Sequence, residues 1–169
     1  SQQFSSADTN TFFMRLQVQS PVTRDEFEAA LLPVTEHYGM TWRLDVVGRP
    51  LRTLLLASTA GHCVNDLLFR QRAGQLAIDV PLILSNHATL EDLAGFYGVP
   101  FESRPVVSPE SKRAFEERVV EVVEQHDIEL VVLARYMQIL SDDLCREMPG
   151  RIINIHHSFL PSFKGARPY

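Results

Sequence analysis

The sequence lacks an excess of basic residues and has no long apolar run. Its 169 residues include 16 Lys and Arg against 21 Asp and Glu, which gives a net charge of -5. Proteins that wrap nucleic acid carry a basic face, and a membrane-spanning helix needs roughly 18 to 20 uninterrupted apolar residues. The N-terminus also lacks the basic region and apolar run of a secretory signal. We therefore expect no nucleic-acid partner, no membrane span and no secretion.

Cysteines and metal-ligand patterns are sparse as well. The two cysteines, Cys63 and Cys145, fall in separate predicted helices, and without a secretory signal they indicate reduced thiols in the cytoplasm. His156 and His157 are adjacent, and adjacent residues of an extended chain point to opposite faces, so they are poorly placed to bind one ion. The other histidines show no ligand spacing, and we predict no metal site.

The first fifty residues predict a short strand, helix, strand unit. Residues 11–18 and 40–46 are rich in β-formers and predict the two strands. A capping box that begins at Thr23 predicts the start of the helix, which Pro33 is expected to interrupt or kink. The unit is small for an independent domain, and residues 48–50 (Gly-Arg-Pro) predict a linker.

After this linker the pattern changes to alternating apolar strands and amphipathic helices. Predicted strands cover residues 51–57, 81–85, 130–134 and 151–155, and predicted helices start near His62, Thr89, Ser108 and Ser141. Repeated β-α-β units predict an α/β fold with a parallel sheet and right-handed crossovers. Active sites of such sheets lie at the carboxyl ends of the strands, so the loops that follow the strands are the places to look for chemistry.

The sharpest feature of these loops is Asn154-Ile155-His156. Residues two apart on a strand point to the same side, so Asn154 and His156 can converge on one atom. An amide donor beside an imidazole suits stabilisation of the oxyanion that forms when a carbonyl is attacked, and the imidazole can exchange a proton near neutral pH. The alternative is a pair of polar residues that satisfy backbone groups at the end of a strand.

Two further loops carry weaker signals. Residues 58–62 can offer backbone amides to an anion, but they lack both G-x-G-x-x-G and the Walker motif, which favours an ordinary strand-to-helix turn. Met137, Gln138, Ile139 and Leu140 combine apolar side chains with backbone polar groups. They suit a pocket for a flat heteroaromatic ring, or alternatively a part of the core.

Four stretches together resemble a known family. They are residues 61–68 (GHCVNDLL), 85–87 (SNH), 133–140 (LARYMQIL) and 151–161 (RIINIHHSFLP). In this order and spacing they resemble the folate-dependent formyltransferase superfamily, and within it the formyltetrahydrofolate deformylase branch, whose form is a second histidine followed by Ser-Phe-Leu-Pro. Residues 1–46 resemble the latter part of the small regulatory ACT domain that precedes the catalytic domain in that branch.

The resemblance implies a Rossmann-like parallel sheet of the formyltransferase type over residues 51–169, incomplete at its C-terminal side, after a partial α+β ACT-like domain over residues 1–47. It implies that Asn154 and His156 polarise the formyl group and stabilise the tetrahedral intermediate. The folate-binding residues that it implies are Leu133, Met137, Gln138, Ile139, Leu140 and Ile152. No cofactor is implied beyond the folate substrate, 10-formyltetrahydrofolate, and the ACT-like part implies a homo-oligomer and an amino-acid effector.

The resemblance also predicts that the chain is a fragment. The family's active-site aspartate lies in a Leu-Asp-x-Gly-Pro segment after the stretch that ends here at Tyr169, so this chain is expected to lack it. Three functions follow as hypotheses: hydrolysis of 10-formyltetrahydrofolate to formate and tetrahydrofolate, which supplies formate for purine synthesis; formyl transfer to glycinamide ribonucleotide; or amino-acid sensing without catalysis. The loop 58–62 is not the Gly-Ser-Gly type expected for a phosphate-bearing acceptor, which favours water.

Overall fold

A computed structural model describes residues 1–155 of the chain. The chain divides into two compact units, one from Ser1 to Val47 and a second that begins at Gly48. Within the described residues, no helix combines the length and the apolar character that crossing a membrane requires.

The first unit is a β-hairpin followed by a helix. Strands β1 (Gln2–Ser6) and β2 (Thr11–Arg15) pair antiparallel, and helix α1 spans Arg24–His37. The predicted capping box is confirmed, because the Glu26 N–H donates to the Thr23 hydroxyl at 3.3 Å and the Glu26 carboxylate accepts from the Thr23 N–H at 2.8 Å. The predicted interruption at Pro33 is wrong, since α1 continues through it.

Two strand predictions in this unit need correction. Residues 40–46 form no strand, and β1 was not predicted at all. A strand needs a partner for its backbone N–H and C=O groups, and β2 pairs with β1 instead of with residues 40–46. The polar sequence of β1 (QQFSS) gives no alternating pattern, so its pairing could not be anticipated from periodicity. The ACT-like nature of this unit stays a prediction.

The second unit confirms the predicted α/β fold. Within residues 48–155 it has five strands, all parallel, in the order β5-β4-β3-β6-β7. The strands are β3 (Leu51–Ala57), β4 (Ile78–Ser85), β5 (Phe101–Ser103), β6 (Leu130–Ala134) and β7 (Ile152–Asn154). The helices are α2 (His62–Arg72), α3 (Glu91–Tyr97), α4 (Pro109–Gln125) and α5 (Asp142–Glu147).

The helices cover both faces of this sheet. On one face, α2 and α3 pack Val64, Leu68 and Ala94 against the central strands. On the other face, α4 contributes Phe115 and Val119, both fully buried, to a second apolar cluster. A nearly continuous apolar run such as β3 is the expected sequence of a strand that is covered on both faces.

Helix ends were largely predictable, with one error. Ser108 and Ser141 cap α4 and α5 through their hydroxyls, which accept from the N–H of the third residue onward at 3.2 Å in both cases, and Gly98 ends α3 with φ +73°. The predicted cap at Thr89 is wrong. Thr89 lies inside a short 3-10 turn, Ala88–Leu90, and α3 starts after it with no side-chain cap.

Three strands of the sheet differ from the prediction in their presence, bounds or burial. The short strand β5 was missed, and β4 starts at Ile78, before the predicted residue 81. The apolar stretch 151–155 predicts a buried strand, but Ile153 and Asn154 of β7 are exposed. Among residues 1–155, β7 pairs with β6 alone, so its side chains are less covered than those of the central strands.

The order of the strands reverses once. The chain places β4 and β5 successively to one side of β3, and then α4 returns it across β3 to place β6 and β7 on the other side. The reversal falls between β3 and β6. In open α/β sheets ligands bind at the carboxyl ends of the strands at such a switch point.

Phe115 should contribute strongly to the free energy of unfolding through its packing between α4 and the sheet. Its ring is fully buried, so Phe115→Ala should lower the free energy of unfolding by about 3–5 kcal/mol through the cavity that it leaves. Urea denaturation followed by circular dichroism measures this loss. Phe69→Ala is the matched control, since Phe69 lies 55% exposed on α2 and its removal should change stability by about 0.5 kcal/mol or less. Equal losses in the two variants would contradict the packing described.

The ion pair of Glu102 should make stability depend on pH. Arg118 of α4 donates to both carboxylate oxygens of Glu102 on β5, at 2.9 to 3.1 Å, and this hydrogen bonding lowers the pKa of Glu102 below its usual value. A lowered folded-state pKa contributes stability above the unfolded-state pKa, and the contribution is lost as the pH falls through the folded-state value.

The test compares the wild type with Glu102→Gln by urea denaturation. The wild type should be the more stable protein at about pH 6.5, and the difference should shrink toward about pH 3, because these values bracket the ordinary glutamate pKa of about 4.3. Glu117→Gln, at an exposed position of α4 beside Arg118, should show no such convergence. A difference for Glu102→Gln that is constant with pH would refute the linkage.

Candidate functional site at the carboxyl ends of the central strands

A buried hydrogen-bond network joins three strand ends at the switch point. Ser58 follows β3, Asn86 follows β4 and Met137 lies three residues beyond β6. The Ser58 hydroxyl donates to the side-chain oxygen of Asn86 at 2.6 Å and accepts from the Met137 N–H at 3.1 Å. Ser58 and Asn86 are each only 3% exposed. The network therefore ties the loop after β6 to the two neighbouring strands.

A second serine extends this network along β4. The Ser85 hydroxyl donates to the Ser58 carbonyl at 3.4 Å and accepts from the His87 N–H at 3.1 Å. The Asn86 N–H donates to the Ala57 carbonyl at 3.4 Å. These bonds satisfy polar groups that buried strand ends would otherwise leave without partners, and they keep the ends of β3 and β4 together.

The loop of residues 135–140 is held at two further points. The Tyr136 ring is buried and stacks on Phe115, with ring centroids 5.3 Å apart. The N–H of Ser141, directly after the loop, donates to the Glu116 carboxylate at 2.9 Å. Burial, with a smaller contribution from the negative charge of Glu116, raises the pKa of Tyr136 far above its usual range. Its burial and its stacking on Phe115 make Tyr136 a packing residue of this loop.

Backbone strain marks the start of the same loop. Arg135 has φ +60°, the left-handed region that non-glycine residues rarely adopt. Its N–H donates to the Leu133 carbonyl at 3.1 Å, and its Nε atom is buried without a hydrogen-bond partner among residues 1–155. A strained residue of this kind persists where its surroundings hold it, and such residues cluster at functional sites.

The predicted folate-binding residues divide into a covered and an exposed group. Leu133 is buried, and Leu140 and Ile152 pack partly buried against the same apolar cluster. Met137 and Ile139 are 46% and 86% exposed. The predicted set thus combines apolar residues of the core cluster with two exposed apolar side chains of the loop.

Gln138 is half-buried in the same loop. Among residues 1–155, no group accepts from the N–H groups of Gln138, Ile139 and Leu140. Successive backbone donors beside apolar side chains match the lining of pockets that orient a small ligand.

Asn154 lies at the end of β7 opposite Leu133 of β6. Alternation along the strand places Asn154 on the same face as Ile152, which packs against the apolar cluster of Leu133. Asn154 itself is exposed. The second predicted catalytic residue, His156, lies outside the described residues, so the predicted convergence of the two side chains stays a prediction.

Cys63 lies at the start of α2 and is partly buried. Among residues 1–155, no group of three His, Cys, Asp or Glu residues is arranged to hold a metal ion. Burial raises the pKa of the Cys63 thiol, partly offset by the charge of Arg135. A thiol with a raised pKa is a weak nucleophile near neutral pH, in agreement with a packing role.

The rule that sites lie at the carboxyl ends of parallel strands predicts loops that the structure brings together, but it does not predict the residues that join them. Ser58 and Asn86 lie in two of the selected loops, but nothing in their spacing shows that they bond to each other and to Met137. Tyr136 and Glu116 were not singled out either. The available signal was the position of a polar residue directly after each buried strand.

The chain is similar in sequence to known proteins of one family. A sequence profile described as Formyl transferase matches residues 51–169. The formyltetrahydrofolate deformylase of Corynebacterium sp. (strain P-1) is 40% identical over 170 residues, which cover 99% of this chain and 59% of the relative. That of Bacillus subtilis (strain 168) is 35% identical, over 94% of this chain and 53% of the relative.

Solved structures give the same picture. A formyltetrahydrofolate deformylase from Pseudomonas putida KT2440 superposes with a TM-score of 0.85 at 41% identity, over 99% of this chain and 60% of that one. A phosphoribosylglycinamide formyltransferase from Anaplasma phagocytophilum superposes with a TM-score of 0.59 at 32% identity, over 69% of this chain and 54% of that one. The chain spans less than two thirds of the length of these relatives, and by the match over residues 51–169 it belongs to the formyl transferase family.

Proposed function

We propose that the complete gene product that carries this chain hydrolyses 10-formyltetrahydrofolate to formate and tetrahydrofolate. The observation that carries the proposal is the extent of the match. Formyltetrahydrofolate deformylases match 99% of the chain. The phosphoribosylglycinamide formyltransferase of Anaplasma phagocytophilum matches 69% of it, and the glycinamide ribonucleotide transformylase 1 of Geobacillus kaustophilus matches 71%. The deformylase likeness thus extends through the first unit, and the transferase likeness does not cover the whole chain.

The loop of residues 135–140 is the proposed binding site of the folate ring. Met137 and Ile139 offer exposed apolar side chains, and the N–H groups of residues 138–140 suit hydrogen bonds to a heteroaromatic ring. The neighbouring apolar cluster contains Leu133, and Leu140 and Ile152 pack against it. Such a combination of apolar surface with a few fixed polar groups is typical of small-molecule sites. No cofactor is needed beyond the folate itself.

In the proposed reaction, water attacks the N10-formyl carbon. A bond forms between the water oxygen and this carbon, and the carbonyl oxygen becomes an oxyanion that the Asn154 amide stabilises by donating a hydrogen bond. The bond between the carbon and N10 then breaks, His156 delivers a proton to N10, and formic acid leaves and ionises to formate. The aspartate of the family's Leu-Asp-x-Gly-Pro segment is proposed to take the proton from the attacking water.

The first unit is proposed to be part of an ACT-like regulatory domain that binds an amino acid and associates with a second copy. The support is its likeness over residues 1–46 and the match of the deformylases across it. The acidic net charge of -5 supports the absence of a nucleic-acid partner, and the two free cysteines support a cytoplasmic location.

The proposal is tested by following formate release from 10-formyltetrahydrofolate with no second substrate. The complete gene product should release formate, and both Asn154→Ala and His156→Ala should lose at least about two decades of turnover, the usual scale for an oxyanion donor or a general acid. His126→Ala is the matched control for His156→Ala, because His126 follows α4 and precedes the amino end of β6. It should keep normal turnover.

Three other outcomes would redirect the assignment. Near-normal turnover in His156→Ala would remove His156 from the mechanism. Formate transfer that needs glycinamide ribonucleotide as acceptor would identify a transferase instead of a hydrolase. A calorimetric titration that shows amino-acid binding without folate binding would identify a sensor.

A further inference from the structure

We propose that Ser58 and Asn86 are positioning residues that hold the loop of residues 135–140 in the conformation that binds folate. The proposal rests on the proposed function, because it assigns the loop to the folate. Neither residue is assigned a contact with the substrate. They act on the loop through the Met137 N–H, across the switch point between β3 and β6.

The Ser58 hydroxyl tethers the loop through two hydrogen bonds, one that it donates to Asn86 and one that it accepts from Met137. The Ser58 hydroxyl proton is committed to the side-chain oxygen of Asn86 at 2.6 Å. Its oxygen is then oriented to accept, and it accepts from the Met137 N–H at 3.1 Å. Because Ser58 and Asn86 are both 3% exposed, water does not replace a lost partner readily, and removal of the hydroxyl leaves an N–H and an amide oxygen unsatisfied.

The tether is needed because the loop starts in a strained conformation. Arg135, two residues before Met137, has φ +60°, which costs a residue with a Cβ atom free energy that glycine does not pay. The stacking of Tyr136 on Phe115 and the hydrogen bond at Met137 hold in place the two residues that follow Arg135. Without the tether, Arg135 can relax to an ordinary φ and shift residues 137–140.

A shifted loop weakens folate binding more than it slows the bound enzyme. Binding sites need their groups held to within about 0.5 Å, and a protein that populates the competent loop only part of the time binds with an affinity reduced by that fraction. At saturating substrate, bound folate stabilises the binding-competent conformation of the loop in nearly all molecules. Loss of the tether should therefore raise KM and leave kcat nearly unchanged, whereas loss of a merely structural bond lowers the amount of active protein at constant KM.

The experiment uses the complete gene product and two readouts. The first is steady-state formate release from 10-formyltetrahydrofolate. The second, which needs no substrate, is amide hydrogen exchange of the peptide that covers residues 135–140, measured by mass spectrometry. Ser58→Val and Ser58→Thr form a shape-matched pair that differs only in the hydroxyl.

Ser58→Val should raise KM about tenfold, the scale of one lost hydrogen bond, and speed exchange in this peptide, while Ser58→Thr keeps both near the wild-type values. Asn86→Ala, which leaves the Ser58 hydroxyl without its acceptor, should change both readouts in the same direction and serves if Ser58→Val fails to fold.

Relief of the strain provides the decisive control. Arg135→Gly in the Ser58→Val background should restore exchange toward wild type, because glycine adopts φ +60° without cost. Asp127→Gly relieves the same type of strain, at φ +49°, in the turn between α4 and β6. It should restore nothing.

Unchanged exchange of residues 135–140 in Ser58→Val would overturn the proposal, as would a fall in kcat at constant KM. Rescue by Asp127→Gly as well as by Arg135→Gly would also overturn it, because the effect would then be general stabilisation. A wild-type protein that releases no formate defeats the proposed function, and the exchange readout still decides whether Ser58 holds the loop.

Discussion

The candidate site depends on the single reversal of strand order between β3 and β6. Parallel strands bring all their carboxyl ends to one edge, but only a reversal sends the crossover helices to opposite faces and opens a crevice between neighbouring strands. Here α2 and α3 cover one face and α4 covers the other, and the loops after β3 and β6 meet at the gap. Polar groups at this gap are buried, so they must pair, and the pairing of Ser58, Asn86 and Met137 gives the loop of residues 135–140 its position.

Much of this arrangement was readable from the sequence because its physical causes are local. The apolar runs of β3 and β6 show strands covered on both faces, and their bounds were predicted correctly. The caps at Ser108 and Ser141 follow from side-chain chemistry within one helical turn. The rule that places sites at the carboxyl ends of parallel strands then selected the loops that the structure brings together, without knowledge of any distance between them.

The errors arose where the cause is not local. Residues 40–46 have the composition of a strand, but β2 pairs with β1, and a polar strand such as β1 is stabilised by its partner rather than by its own pattern. Among residues 1–155, β7 pairs with one strand only, and composition does not encode the resulting exposure of Ile153. The bond between Ser58 and Asn86 joins residues 28 positions apart, and only the assembled sheet shows that they face each other.

The most direct test of this account is a crystal structure of the complete gene product with tetrahydrofolate bound. The account predicts the pteridine ring against residues 137–140, with N10 directed toward Asn154, and the hydrogen bond between Ser58 and Met137 intact. A ring bound away from the carboxyl ends of β3 and β6, or a bound state in which that hydrogen bond is broken, would contradict it.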